Sequence, residues 1–181
     1  MFKLLKKSSV IRESLVEVIN KSGETKKEIA SQINVSQQSL SDWTTLLNTK
    51  PVTLENAQAL TDHFRDSDFT LQVIHEFFGL FKSIDGDVYR RDPSSLDKLQ
   101  TIESYERKQK KQYVEKILLK NVEYLTVDDR QQIIAYAYEF LDEIMVEVTL
   151  ISALCEILGI DIRKLSEERL SYWVVQGYMK G

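Results

Sequence analysis

Residues 26–43, KKEIASQINVSQQSLSDW, constrain the fold more than any other stretch of this chain. Ile29, Ile33, Leu40 and Trp43 recur at helical spacing, yet two features break the run in its middle. Asn34 tolerates the left-handed conformation better than most residues, and Ser36 is a favoured helix cap. The stretch therefore predicts two short helices joined by a tight turn. Helices joined in that way cross steeply, so a small residue is needed where they touch. Ala30 stands at that place, while Ile29, Ile33, Val35, Leu40 and Trp43 are placed to plug the crossing from both sides. Thr25, with Glu28 three residues on, has the form of a capping box for the first helix of the pair.

The flanking sequence continues in the same manner. Val10, Ile11, Leu15, Val18 and Ile19 predict a helix over 10–20 that Gly23 stops. After the irregular stretch LLNTKP, Thr53 is placed to cap a fourth helix (LENAQALTDHF), and Asp68 opens a Phe-rich fifth. Residues 83–97 carry Gly86, Pro93 and three serines among mixed charges, which marks a boundary. Residues 98–120 are charged and helical in pattern. Thr126, with Asp128 and Asp129, opens the longest apolar-periodic segment, which Gly159 stops, and a last helix is expected over 166–177. No strand is expected. The fold class is all-α, with a five-helix domain over 1–84, a linker over 85–97 and a helical domain over 98–181.

Composition narrows the function classes. Hydrophobic residues make up 43% and charged residues 29%, ordinary for a soluble globular chain. No apolar run approaches the roughly 18–20 residues of a membrane span, and the start lacks the apolar stretch of a secretory signal. Cys155 is the only cysteine, which makes an intrachain disulfide impossible. A cytoplasmic protein without membrane contact is the expectation. The net charge of −4 hides an asymmetry: residues 1–51 hold 8 Lys and Arg against 5 Asp and Glu, and residues 121–181 hold 5 against 11. The head is thus net +3 and the tail net −6, so the head's field is the one that bears on an anionic partner.

The crossing pair has the steric form of an element that reads DNA. The second helix would enter the major groove with its exposed first turn, Gln37, Gln38 and Ser39. Gln bonds bidentately to the N6/N7 edge of adenine, and Ser is an adaptable partner. Gln37, Gln38, Ser39 and Asp42 are the candidate base readers. Thr25, Lys26, Lys27, Ser36 and Lys50 are the candidate backbone contacts, which position the domain without reading sequence. An amphipathic helical hairpin with surface glutamines remains the plain alternative.

On these residues, together with Lys50-Pro51 and the helix TLENAQALTDHF, residues 10–66 resemble the Cro/CI-type (Xre) helix-turn-helix domain, with its five-helix lambda-repressor-like fold. The departure is Trp43-Thr44-Thr45-Leu46-Leu47-Asn48, where that family usually has a short Trp-Glu-x-Gly turn. PVTLENAQALTDHF, the Phe-rich helix and TVDDRQQIIAYAYEFLDEI are similar to phage-encoded CII-type regulatory proteins. The resemblance implies a phage or mobile-element regulator, of repressor type, acting as an oligomer on double-stranded operator DNA. RNA polymerase or an antirepressor would be further partners. The competing class is a protein-interaction module, an antirepressor or scaffold, that keeps the fold without binding DNA.

The remaining features divide between structure and association. Ile133, Ile134, Phe140, Leu141, Ile144, Met145, Val148 and Ile151 form a stripe that reads either as internal core or as the interface of a dimer or tetramer; the interface is favoured. Lys3, Lys6 and Lys7 form a basic N-terminal arm, expected to be a loose start, and Arg107, Lys108, Lys110 and Lys111 a basic cluster on a solvated helix. His63 and His75 fall on different helices with no metal-ligand spacing around them. No glycine-rich phosphate loop or nucleophile elbow is present, so neither an enzyme nor a cofactor is expected.

Overall fold

The computed structural model describes residues 6–47 and 49–180. Lys3 of the basic arm and Asn48 of the departing turn lie outside the described residues. The chain is mainly helical, and among the described residues no helix is long and apolar enough to cross a membrane. It divides into two compact units, one made of residues 1–82 and 155–181 and the other of residues 83–154.

The first unit contains helices α1 (Arg12–Ser22), α2 (Lys26–Gln32), α3 (Gln37–Thr44), α4 (Leu54–Phe64) and α5 (Ser67–Phe78). Local chemistry sets their ends. Gly23 closes α1 at φ 72, a left-handed turn that glycine adopts without a steric penalty. Thr53 and Asp66 cap α4 and α5 by accepting the N–H groups of Asn56 and Phe69. The fifth helix thus begins one turn-residue earlier than Asp68, because Asp66 takes the capping role. Leu15, Ile29, Leu40, Val52, Ala57 and Leu60 are fully buried at the centre of one core, with Phe69, Val73 and Phe77 of α5 closing it.

Two expectations for this unit need correction. A short antiparallel pair is present, β1 (Ser8–Ser9) with β2 (Val52–Thr53), in the register Ser8 to Thr53 and Ser9 to Val52. Two residues are too few for any periodic signal in the sequence. Lys6, two residues before the pair, is also held in place. The Lys6 backbone N–H donates to the Phe77 carbonyl, and its ammonium reaches Ser9 Oγ at 3.1 Å and Glu76 at 3.4 Å. This part of the basic arm is docked on α5 rather than loose.

The second unit consists mainly of α6 (Pro93–Leu118) and the greater part of α7 (Val127–Leu158), joined through a 3₁₀ turn at Val122–Tyr124. Asp92 caps α6 and Pro93 occupies its first turn, where the missing N–H costs nothing. Residues 93–97, expected as linker, are therefore the start of a 26-residue helix. At the head of α7, the Thr126 hydroxyl accepts the Asp129 N–H while the Asp129 carboxylate accepts the Thr126 N–H, a reciprocal cap.

The expected domain over 98–181 is also corrected. The chain after Leu154 belongs to the first unit, with α8 (Ile162–Val175) as its last helix. Polar contacts account for the return. The Ile162 N–H donates to Ser67 Oγ at 2.9 Å, and the Arg163 guanidinium donates to the Thr61 carbonyl at 2.7 Å and to Asp62. Lys21 bridges Asp66 at 3.0 Å and Glu156 at 2.7 Å. Burial alone would lower the Lys21 pKa, but the two carboxylates hold it above the usual range.

Candidate nucleic-acid interface

The turn between α2 and α3 is built from three residues. Ala30 is buried, and its carbonyl accepts the Val35 N–H at 2.9 Å. Asn34 takes φ 55, a left-handed conformation that few L residues adopt, and its amide side chain makes it one of those few. Ser36 is extended and caps α3 by accepting the Ser39 N–H at 3.0 Å. Leu40 and Trp43 are buried on the inner side of α3, so the opposite side of its first turn faces out. Gln37 and Gln38 are exposed there.

The other candidate readers are tied into local bonds. The hydroxyls of Ser39 and Ser36 share a hydrogen bond at 2.8 Å, leaving Ser39 half-buried. Asp42 is half-buried and accepts from Gln38 Nε2 at 2.8 Å and from Lys50 Nζ at 2.5 Å. The bond from Lys50, followed by that from Gln38, holds its carboxyl below the ordinary carboxylate range.

The candidate backbone contacts surround this turn unequally. Lys27 is exposed. Lys26 is half-buried, and its ammonium donates to Thr44 Oγ1 at 2.5 Å, joining the start of α2 to the end of α3. Thr25 is committed to the capping box of α2. Its hydroxyl accepts the Glu28 N–H and donates to the Glu28 carboxylate at 2.7 Å, which also takes its backbone N–H at 2.8 Å. The Glu28 carboxyl is held below its usual range by these Thr25 donors.

The structure adds Ser41 to the candidates and sets Thr45 and Leu47 of the departing turn beside them. Lys26, Gln38, Ser41, Asp42, Thr45, Leu47 and Lys50 line one shallow hollow beside α3. Leu46 and Leu47, on the loop that follows, are 75% and 79% exposed. Two adjacent leucines in an otherwise polar loop were the available signal.

The apolar stripe lies on α7. Ile134, Phe140, Leu141 and Ile151 are exposed, while Ile133, Ile144, Met145 and Val148 are half-buried. Ile134, Tyr138 and Leu141 fall at i, i+4 and i+7 and form one uncovered strip. Phe140 lies under the Arg107 guanidinium, 4.6 Å from ring centroid to carbon, and edge-on to Tyr136. Arg107 also donates to Glu143, which is buried. Burial would raise the Glu143 pKa, but the bonds from Arg107 and Ser104 bring it below its ordinary value.

Among the described residues no group of His, Cys, Asp and Glu stands together as a metal site. His63 pairs with Glu24 at 3.1 Å, and His75 Nδ1 lies 2.5 Å from the Leu80 carbonyl oxygen. Comparison with protein-family models, curated proteins and solved structures finds no match to this chain.

Proposed function

We propose that this chain is a sequence-specific DNA-binding regulator that occupies operator DNA as a homo-oligomer. The observation that carries the reading is the turn itself. A buried Ala30, a left-handed Asn34 and a capping Ser36 leave two uncharged glutamines outward on the first turn of α3, with Leu40 and Trp43 anchoring its other side. Gln37 and Gln38 are the base readers, Ser39 a lesser one, and Lys27 the phosphate contact with a free course outward. The five helices of the head and this turn support a lambda-repressor-like helix-turn-helix domain. The resemblance of 10–66 to Cro/CI-type domains supports a phage or mobile-element repressor, with RNA polymerase or an antirepressor as further partners.

Association of two or more copies is the second part of the proposal. Among the described residues of the second unit, Leu96, Val114 and Val146 are the buried apolar side chains. Ile102, Tyr105 and Tyr113 on α6 and Ile134, Tyr138 and Leu141 on α7 stay uncovered, more apolar surface than a two-helix hairpin can hide from water alone. A second copy supplies matching strips, and a twofold dimer suits a twofold operator.

One observation favours the protein-interaction reading instead: Asp42 sets a carboxylate in the proposed DNA face, and Leu46 and Leu47 lie open beside it. Selection of bound sequences from a random duplex pool separates the two. DNA binding requires an enriched motif, and an interaction module yields none. On the enriched duplex, Gln37→Ala and Gln38→Ala are each expected to lose about 1–3 kcal/mol of discrimination while nonspecific affinity stays. Lys27→Ala is expected to weaken binding to all duplexes and flatten the salt slope by about one.

A further inference from the structure

We infer that Asp42 is a positioning residue that sets the base preference of Gln38 and lowers nonspecific affinity by holding Lys50. The inference rests on the DNA-binding reading above and deepens it. Asp42 follows Gln38 by one helical turn, so their side chains are neighbours on α3. An ionised carboxylate only accepts hydrogen bonds, so the amide group facing it is the NH₂ end of Gln38, at 2.8 Å from Oδ1. That bond uses one amide hydrogen and leaves Oε1 and the second N–H for another partner. One acceptor beside one donor, in fixed order, is what the N6/N7 edge of adenine requires. A glutamine free to turn its amide over presents either order and discriminates less.

The second oxygen of the same carboxylate holds Lys50. Oδ2 accepts from Lys50 Nζ at 2.5 Å, and the Lys50 backbone N–H donates to the Asp42 carbonyl at 3.0 Å. The loop after α3 is thereby closed onto Asp42, and the Lys50 charge is balanced locally rather than offered whole to phosphate. Asp42 thus raises the cost of a wrong base and removes part of the sequence-independent attraction. Its low carboxyl pKa keeps it charged at neutral pH.

The test uses the full chain, the duplex that the wild type enriches from a random pool, single-base variants of that duplex, and a shuffled duplex. Asp42→Asn is expected to tighten binding to the shuffled duplex several-fold and to steepen the salt slope by about one. In the same variant, discrimination at the base pair read by Gln38 is expected to fall roughly tenfold. In a Gln38→Ala background, Asp42→Asn should leave discrimination unchanged and still steepen the slope, a separation that a purely structural residue does not produce. Lys50→Ala, which keeps Asp42, should weaken shuffled binding and retain the preference. An Asp42→Asn chain with wild-type preference and slope overturns the inference and leaves the DNA reading standing. So does parallel loss on every duplex with a flattened slope. A wild type that enriches nothing overturns both.

Discussion

Replacing Trp43 with alanine tests the packing on which the whole head depends. Trp43 is 6% exposed and belongs to the core shared by α1 to α5 and β2. A buried aromatic of this kind hides on the order of 150–250 Å². At about 25 cal/mol per Å² this corresponds to roughly 4–6 kcal/mol as an upper bound, since the unfolded chain already hides part of that area. Core truncations of this size cost about 3–5 kcal/mol, which is the expected loss here. Trp173 on α8 provides the contrast. It is half-buried on a helix with no buried residue, so Trp173→Ala should cost well under half as much. Urea titration followed by circular dichroism compares the two, and in the Trp43 variant the emission of Trp173 reports on the same unit. Equal costs, or a Trp43→Ala cost below about 1 kcal/mol, would refute the assignment of Trp43 as the anchor of α3.

Further outcomes follow from single features. Asn34, at φ 55, should accept glycine with little change, whereas Asn34→Ala should cost about 1 kcal/mol in a urea titration, because alanine resists the left-handed region. The bond from Lys120, followed by that from the Thr126 N–H, lowers the Asp129 pKa to about 2 from an ordinary 3.8. That contribution to stability is present in full above about pH 4 and is lost as the pH falls toward 2. Asp129→Asn should therefore lower the urea midpoint at pH 6, with the gap to wild type closing near pH 2. Ile134→Asp with Leu141→Asp should convert an oligomer to monomers in sedimentation without loss of helical signal, since both side chains are exposed within the subunit. A wild-type chain that sediments as a monomer would remove the association part of the proposal.

What the sequence disclosed was mostly local. Thr25, Ser36 and Thr53 each accept the N–H group three residues on, and such caps are written within four consecutive residues. Gly23, Asn34 and Gly159 were legible for the same reason, because a positive φ restricts the residue type at a single position. The contacts that bring α8 back to the first unit were not. Arg163 meets Thr61 and Asp62 across about a hundred residues of chain, and a lone polar pair at that separation leaves no periodic trace. The linker was misplaced through Pro93, a turn residue by composition that stands at the first turn of a long helix because Asp92 precedes it.

The candidate interface shows the same division within one side chain. The spacing of four between Gln38 and Asp42 is visible in the sequence and puts both on one face of α3. From that alone Asp42 reads as a further base contact. The return of Lys50 to the same carboxylate depends on the path of the loop after Trp43, the one place where the resemblance to Cro/CI-type domains departs from the usual turn. Gln38 and Lys50 each take one lone pair, one on either oxygen of the carboxylate, and the influence inferred for Asp42 runs through these two neighbours. Its place on the helix face was legible, but its role depended on a loop that the sequence left open.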